Sequence, residues 1–256
     1  MAFPTFVAAG VLAEGTVGAT IVPSASHVSG DYELLIVETQ DQVCTLSTAA
    51  GFTQHPGSPV SCPSGTATIA TRLTLFERIW DGAAGSPITN DSGNHDIGCI
   101  LTFRRSAGTW SNLSDVRSSI SGTGWAASPE TVEDTTLSWT GITTDTADQL
   151  IFHLIAQAKP DIAGGTAEMS AHTNANLATI TERFDDAAAS GNGGWIGCFT
   201  GTLATAGATG TSTATGATVS FHANLMMGIR DSAPAGVVLP PKPVIIQFAV
   251  NRSNRY

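Results

Sequence analysis

Apolar and polar positions alternate with period two along most of the chain, and that period predicts strands. Between residues 67 and 79, Ala67, Ile69, Leu73, Leu75 and Ile79 fall on one side, and Thr68, Arg72, Thr74 and Arg78 on the other. Between 219 and 230, Val219, Phe221, Ala223, Leu225, Met227 and Ile229 alternate with Ser220, His222, Asn224 and Arg230. Both runs read as half-buried antiparallel strands. Shorter runs of the same kind lie at 97–104, 150–157, 177–184 and 195–203. No long stretch carries an apolar stripe at helical spacing, and glycines and β-branched residues interrupt every candidate helix. Turn chemistry punctuates the chain instead, as at Pro56-Gly57, Asp81-Gly82 and Gly207-Ala208-Thr209-Gly210.

The chain also repeats itself. Glu77-Arg78-Ile79-Trp80-Asp81-Gly82-Ala83-Ala84 is echoed by Glu182-Arg183-Phe184-Asp185-Asp186-Ala187-Ala188-Ala189, and Ile97-Gly98-Cys99-Ile100 by Ile196-Gly197-Cys198-Phe199. Upstream lie the strand-like runs Asp31–Val37 and Asp148–Phe152. Copies in the same order with shrinking offsets indicate a duplicated unit that varies in loop length. With about four strands per unit, two halves, roughly 16–105 and 135–231, are expected to close on one core. The fold class is then all-β, a jelly-roll-like antiparallel sandwich over residues 1–231. Two tandem small sandwiches are the alternative. No Pro-rich or charge-rich linker divides the halves, and the joining stretch 106–145 carries Trp110, Trp125 and Trp139, which need burial.

The last 25 residues differ from the body. Pro234 and Gly236 end the final core strand, Pro240-Pro241-Lys242-Pro243 makes a stiff spacer, and Val244–Val250 is an apolar β run. Residues 232–256 therefore read as an extended C-terminal arm. It would serve as an edge strand of its own molecule or add a strand to a neighbouring subunit. Val244, Ile245, Ile246, Phe248, Val250, Arg252 and Arg255 are the subunit-contact candidates.

Charge narrows the choice of partners. The formal net charge is −10, with all the acids before residue 232 and the arm purely basic. An acidic body repels nucleic acid and anionic membranes, so neither is expected as a partner. Only 12% of residues are charged against 42% apolar, which suits a folded sheet protein with a hydroxyl-rich surface. No apolar run is long enough for a transmembrane helix. Met1-Ala2-Phe3-Pro4 lacks the features of a secretory signal, so synthesis in the cytoplasm is expected.

Four cysteines are too few for a disulfide scaffold. Cys99 and Cys198 read as buried core residues. Cys44 and Cys62 share a loop region that the second copy lacks, and a bridge between them would stabilise by roughly 3 kcal/mol if the geometry allowed. Against that bridge stands synthesis in a reducing compartment.

Motifs of nucleophile elbow, phosphate loop, dinucleotide fold and zinc protease are all missing, so no catalytic residue, cofactor site or metal site is assigned. Asn90-Asp91-Ser92-Gly93-Asn94-His95-Asp96 alternates oxygen donors as calcium loops do. It has His95 where glycine belongs and Leu101 where a bidentate acid belongs, so it reads as a solvated turn. His153 and His222 read as hydrogen-bonded sheet residues rather than ligands. Glu77 and Arg78, adjacent on a strand, face opposite sides and cannot pair across one face. A shared folding role, with the arginine anchoring a loop, is expected of both Glu-Arg pairs. Carboxylate pairs for glycoside hydrolysis, Glu77 with Asp81 or Glu182 with Asp185, are the weaker reading.

Gly30-Asp31-Tyr32-Glu33-Leu34-Leu35-Ile36-Val37, then Ala50-Gly51-Phe52-Thr53, then Arg72–Arg78 resemble a broad group of tailed-bacteriophage virion proteins. So does the Gly/Ala/Thr-rich stretch 204–218 leading into a last alternating strand. Phe52 departs from the group, which often has Trp there. The resemblance implies a non-enzymatic component of the virion, either a capsid decoration or a minor tail protein. It would be homo-oligomeric, in contact with other virion proteins, and made in the host cytoplasm. A carbohydrate-binding module of a tail tip, stacking sugars on Trp110, Trp125 or Trp195, is the alternative.

Overall fold

The computed structural model describes residues 2–62, 70–91, 93, 95–117, 124–157, 165, 167–191 and 193–231. The proposed arm, with Val244, Ile245, Ile246, Phe248, Val250, Arg252 and Arg255, lies outside them.

The first half supplies β1 (Thr5–Ala9), β2 (Ala13–Gly15), β3 (Tyr32–Thr39), β4 (Thr45–Thr48), β5 (Thr53–Gln54), β6 (Val60–Cys62), β7 (Thr71–Ile79), β8 (Ile88–Asn90) and β9 (Asp96–Arg104). One helical turn, α1 (Leu113–Val116), follows and is capped by the Asn112 side chain accepting from the Asp115 N–H. The second half supplies β10 (Trp125–Pro129), β11 (Asp134–Trp139), β12 (Gln149–Gln157), β13 (Met169–Thr173), β14 (Ala178–Ala188), β15 (Gly194–Leu203), β16 (Ser212–Ser220) and β17 (Ala223–Arg230). The all-β, antiparallel sandwich expected from the period-two pattern is what the chain forms.

Two inner sheets face each other. The first runs β1-β9-β3-β7-β5, with β2 also on β9 and β6 on β7; the second runs β10-β17-β12-β15-β14. Leu34, Ile36, Leu75 and Phe103 from one meet Phe152, Leu154, Ile196 and Leu225 from the other in the central core. Each inner sheet is also covered on its outer face. The β4-β8 pair and the 19–21 segment cover Leu35, Val37, Phe76 and Ile100, while the sheet β11-β16-β13 covers Ile151, Ile155, Phe199 and Met226. Strands β3, β12 and β17 are consequently buried along both faces, not half-buried. The run 219–230 is not one strand either. It breaks at Phe221-His222, where the chain passes from the outer sheet to the inner one.

The duplication is visible in the wiring. Place by place, β1, β9, β3, β7 and β5 correspond to β10, β17, β12, β15 and β14, and β8-β4 to β16-β13. A bridge from Thr20 to Ile88 even puts a segment beside β8 where β11 lies beside β16. Contacts across the core recur with the halves exchanged. β12 packs on β7 as β3 packs on β15, and β17 on β7 as β9 on β15, the pattern of a two-fold interface. The halves so drawn run from β1 to β9 and from β10 to β17, each starting earlier than the expected 16 and 135 because β1, β2 and β10 complete the inner sheets, and each inner sheet belongs wholly to one half, so the halves stack rather than interleave.

This wiring corrects two of the matches made by motif. Glu77-Arg78 lies on β7 and Glu182-Arg183 on β14, and Ile97–Ile100 lies on β9 and Ile196–Phe199 on β15, yet the wiring pairs β7 with β15 and β9 with β17. Only Asp31–Val37 and Asp148–Phe152 mark equivalent strands, β3 and β12. Strands of one period are chemically alike, and neighbours in the sheet decide which is equivalent to which.

The halves approach closely at glycines. A Cβ on Gly194 would fall 2.4 Å from Glu38 Oε2, and one on Gly57 would fall 2.3 Å from Trp125 Cδ1. Trp110 and Trp139 are buried, donating to Arg230 O at 3.0 Å and Leu154 O at 2.9 Å. All four cysteines are free and buried. Cys44 packs in the outer core of the first sheet and Cys62 in the central core, on opposite sides of that sheet, so the considered bridge is not formed. Burial pushes the Cys44 thiol up to about 12 and the Cys62 thiol up to about 11.

Candidate functional site

The ionisable side chains of the first sheet are drawn into its two faces. On β7, Glu77 points to the central core and Arg78 to the outer one, as their adjacency requires. Glu77 accepts from Tyr32 OH at 3.0 Å and pairs with Arg117. Burial pushes its carboxyl up, against the pull of Arg117. Arg78 Nε donates to Glu33 Oε2 at 2.6 Å, and its Nη1 donates to the Ala50 and Gly85 carbonyls. The guanidinium lies 4.3 Å over Phe52 and 4.5 Å over Trp80, and His27 stacks on Trp80 at 4.3 Å while contacting Glu33 at 2.6 Å. Arg78 is therefore the loop anchor expected of it.

The second Glu-Arg pair does other work. Glu182 is largely exposed, 3.9 Å from His172, and Arg183 donates to Thr200 Oγ1 at 2.8 Å beside Phe6. The role is not shared between the copies. The carboxylate pairs weighed for glycoside hydrolysis have separate employment. Asp81 caps the Ala83 and Ala84 N–H groups in an exposed turn, and Asp185 accepts from the Glu168 and Met169 N–H groups and from the Trp195 indole.

The segment 90–96 is not a solvated turn throughout. His95 and Asp96 are fully buried; His95 Nε2 contacts Glu38 Oε2 at 2.6 Å, Asp96 accepts from Thr89, and Thr71 donates to Glu38 at 3.1 Å. Burial pushes the Glu38 carboxyl up. It also opposes charge on His95, but the adjacent Glu38 outweighs it and the net shift of His95 is upward. Ser92 and Asn94 lie outside the described residues.

His153 is hydrogen-bonded as expected, to Ser212 Oγ at 2.6 Å, and stacks on Phe199 at 4.1 Å. Burial lowers it to about 3 from 6.5. Since only the unfolded chain protonates near 6.5, the stability tied to the neutral ring is complete above that pH. It is lost as pH falls toward about 3. We expect the stability advantage of the wild type over His153→Leu to shrink as urea titrations move from about pH 7.5 to 4.5. A pH-independent difference would show that the ring does not titrate with folding.

Residues far apart in sequence converge at one end of the second half. Glu130, just after β10, Asp134, opening β11, and His222, just before β17, offer three ligand atoms within 4.8 Å of one another. His222 Nδ1 contacts Glu130 Oε2, the Glu130 N–H donates to His222 O at 3.2 Å, and Asn224 Nδ2 donates to Glu130 Oε1 at 3.1 Å. The Cys62 thiol, from the first half, donates to Glu130 O. Among the described residues this is the one His/Cys/Asp/Glu group with metal-holding geometry. Sequence reading missed it, because His222 looked like a strand residue and Glu130 and Asp134 sat in an unremarkable link.

Of the tryptophans considered for sugar stacking, Trp110 and Trp195 are buried, and Trp125 is half-buried with its ring edge-on to His55. No family model matches the chain, and no curated protein or solved structure matches it.

Proposed function

We propose that the chain is a non-enzymatic structural protein on the exterior of a tailed-phage virion, a capsid decoration or minor tail component that works in several copies. The carrying observation is where its ionisable groups are spent. Glu33, Arg78, Glu77, Glu38 and His95 are buried and hold strands and loops to one another. Groups used this way stiffen a scaffold, whereas catalytic acids and bases must reach a substrate. The four free thiols suit assembly in a host cytoplasm. The sequence resemblance noted above points the same way, and partners of this acidic body would be other virion proteins.

In this reading the basic, apolar arm carries the contact between copies. Light scattering of the full chain beside a version ending at Asp231 tests it. Asp231 already closes the body, accepting from the Ser106 N–H at 2.7 Å, so the truncated chain should fold. An oligomer that falls to folded monomers on truncation is expected. Two identical monomers, together with glycan-array binding lost on Trp125→Ala, would overturn the reading in favour of a carbohydrate-binding module.

A further inference from the structure

We propose that Glu130, Asp134 and His222 bind a divalent first-row transition ion, with zinc as the reference case. The donor set is one imidazole nitrogen and two carboxylates, the mixed N/O chemistry that suits zinc or manganese; calcium takes six or more oxygens, and magnesium keeps most of its waters. Two carboxylates with a neutral imidazole carry the charge that balances a dication. Three protein donors leave positions open to water, so the ion would not need a fourth side chain.

The surroundings also point to a ligand. His222 and Asn224 are fully buried, and His222 Nε2 and Asn224 Oδ1 have no hydrogen-bond partner among the described residues. Buried polar atoms left unpaired are costly, and a bound ion or water is one way such a set is completed. Asn224 is tied to the cluster directly, through its amide on Glu130 Oε1. Asp134, by contrast, lies at the surface, with Oδ1 accepting from the Thr136 N–H at 2.6 Å. A buried base with one exposed acid gives an ion a route in.

The position gives the ion something to do. Glu130 leads out of inner strand β10, Asp134 begins outer strand β11 opposite Ser220, and His222 stands in the turn between outer β16 and inner β17. An ion there would fasten the outer sheet of the second half to its inner sheet, beside the point where Cys62 of the first half reaches Glu130.

The test is calorimetric titration of zinc chloride into the tag-free full-length chain after chelator treatment, with calcium chloride as comparison. We expect one equivalent of zinc per chain, much weaker calcium binding, and a zinc-dependent rise in melting temperature. Asp134→Asn keeps the exposed position and its bond to Thr136, so it should fold as the wild type by circular dichroism. It should lose zinc affinity by on the order of 100-fold and lose the thermal shift. Asp81→Asn, at a remote turn, should change neither. Absence of saturable zinc binding by the wild type, or unchanged binding by Asp134→Asn, overturns the proposal.

Discussion

Replacing Arg78 by alanine is expected to lower the unfolding free energy by roughly 3–5 kcal/mol, because it leaves the Glu33 carboxylate buried without its cation. Glu33 is fully buried, and among the described residues its remaining ion-pair partner, once Arg78 is gone, is the His27 ring. The same change frees the Ala50 carbonyl in the turn between β4 and β5 and the Gly85 carbonyl in the loop after β7, and removes the guanidinium from the Phe52 and Trp80 rings. In a chain of this size each kcal/mol is worth about 2–4 °C, so the melting temperature should drop by about 6 °C or more. Arg183→Ala should cost only about 1 kcal/mol, the net worth of one hydrogen bond to Thr200. Urea denaturation of the two variants side by side decides the matter. Equal losses would restore a common role for the two Glu-Arg motifs and contradict the environments described for them.

Phe152→Ala is expected to cost about 3–5 kcal/mol, the usual loss for emptying a buried aromatic site. Phe152 lies at the centre of β12 with no exposed surface, and its ring meets Phe103 of the opposite sheet at 4.4 Å. The cavity would thus open between the halves rather than inside either. If the central core makes them one cooperative unit, fluorescence and circular dichroism should still report a single, coincident transition at lower denaturant. Two separated transitions in the variant, or in the wild type, would mean that each inner and outer sheet pair folds alone, the behaviour of two tandem sandwiches.

Much of the secondary structure was legible in the chain. The runs at 97–104, 150–157, 177–184 and 195–203 lie within or almost within single strands, because period-two alternation is a local property that a strand must have. The opposite facing of Glu77 and Arg78 was legible for the same reason. The depth of burial was not. Sequence pattern implied one wet face for each strand, whereas the β4-β8 pair and the β11-β16-β13 sheet cover the outer faces, and strands such as β4 and β16, made mostly of Thr, Ser and small residues, carry little apolar signal of their own.

The candidate ion site was illegible for a related reason. His222 and Glu130 are 92 residues apart and meet only because β10 pairs with β17. Nothing in the spacing of a histidine, a glutamate and an aspartate across such a distance marks them as neighbours. Arg78 was the easier case, since an arginine beside a strand-ending turn has loop carbonyls within reach whatever the fold.

The amino-acid sequence by itself determined that this protein is built of antiparallel strands, since periodicity and turn residues are written along the chain. Only the tertiary structure decided which strands of the halves correspond, which side of the sheet Cys44 and Cys62 occupy, and which acids meet which bases. Those are matters of pairing and layering. A strand's neighbour is chosen by the free energy of the whole sheet and core, to which residues distant in sequence contribute as much as adjacent ones.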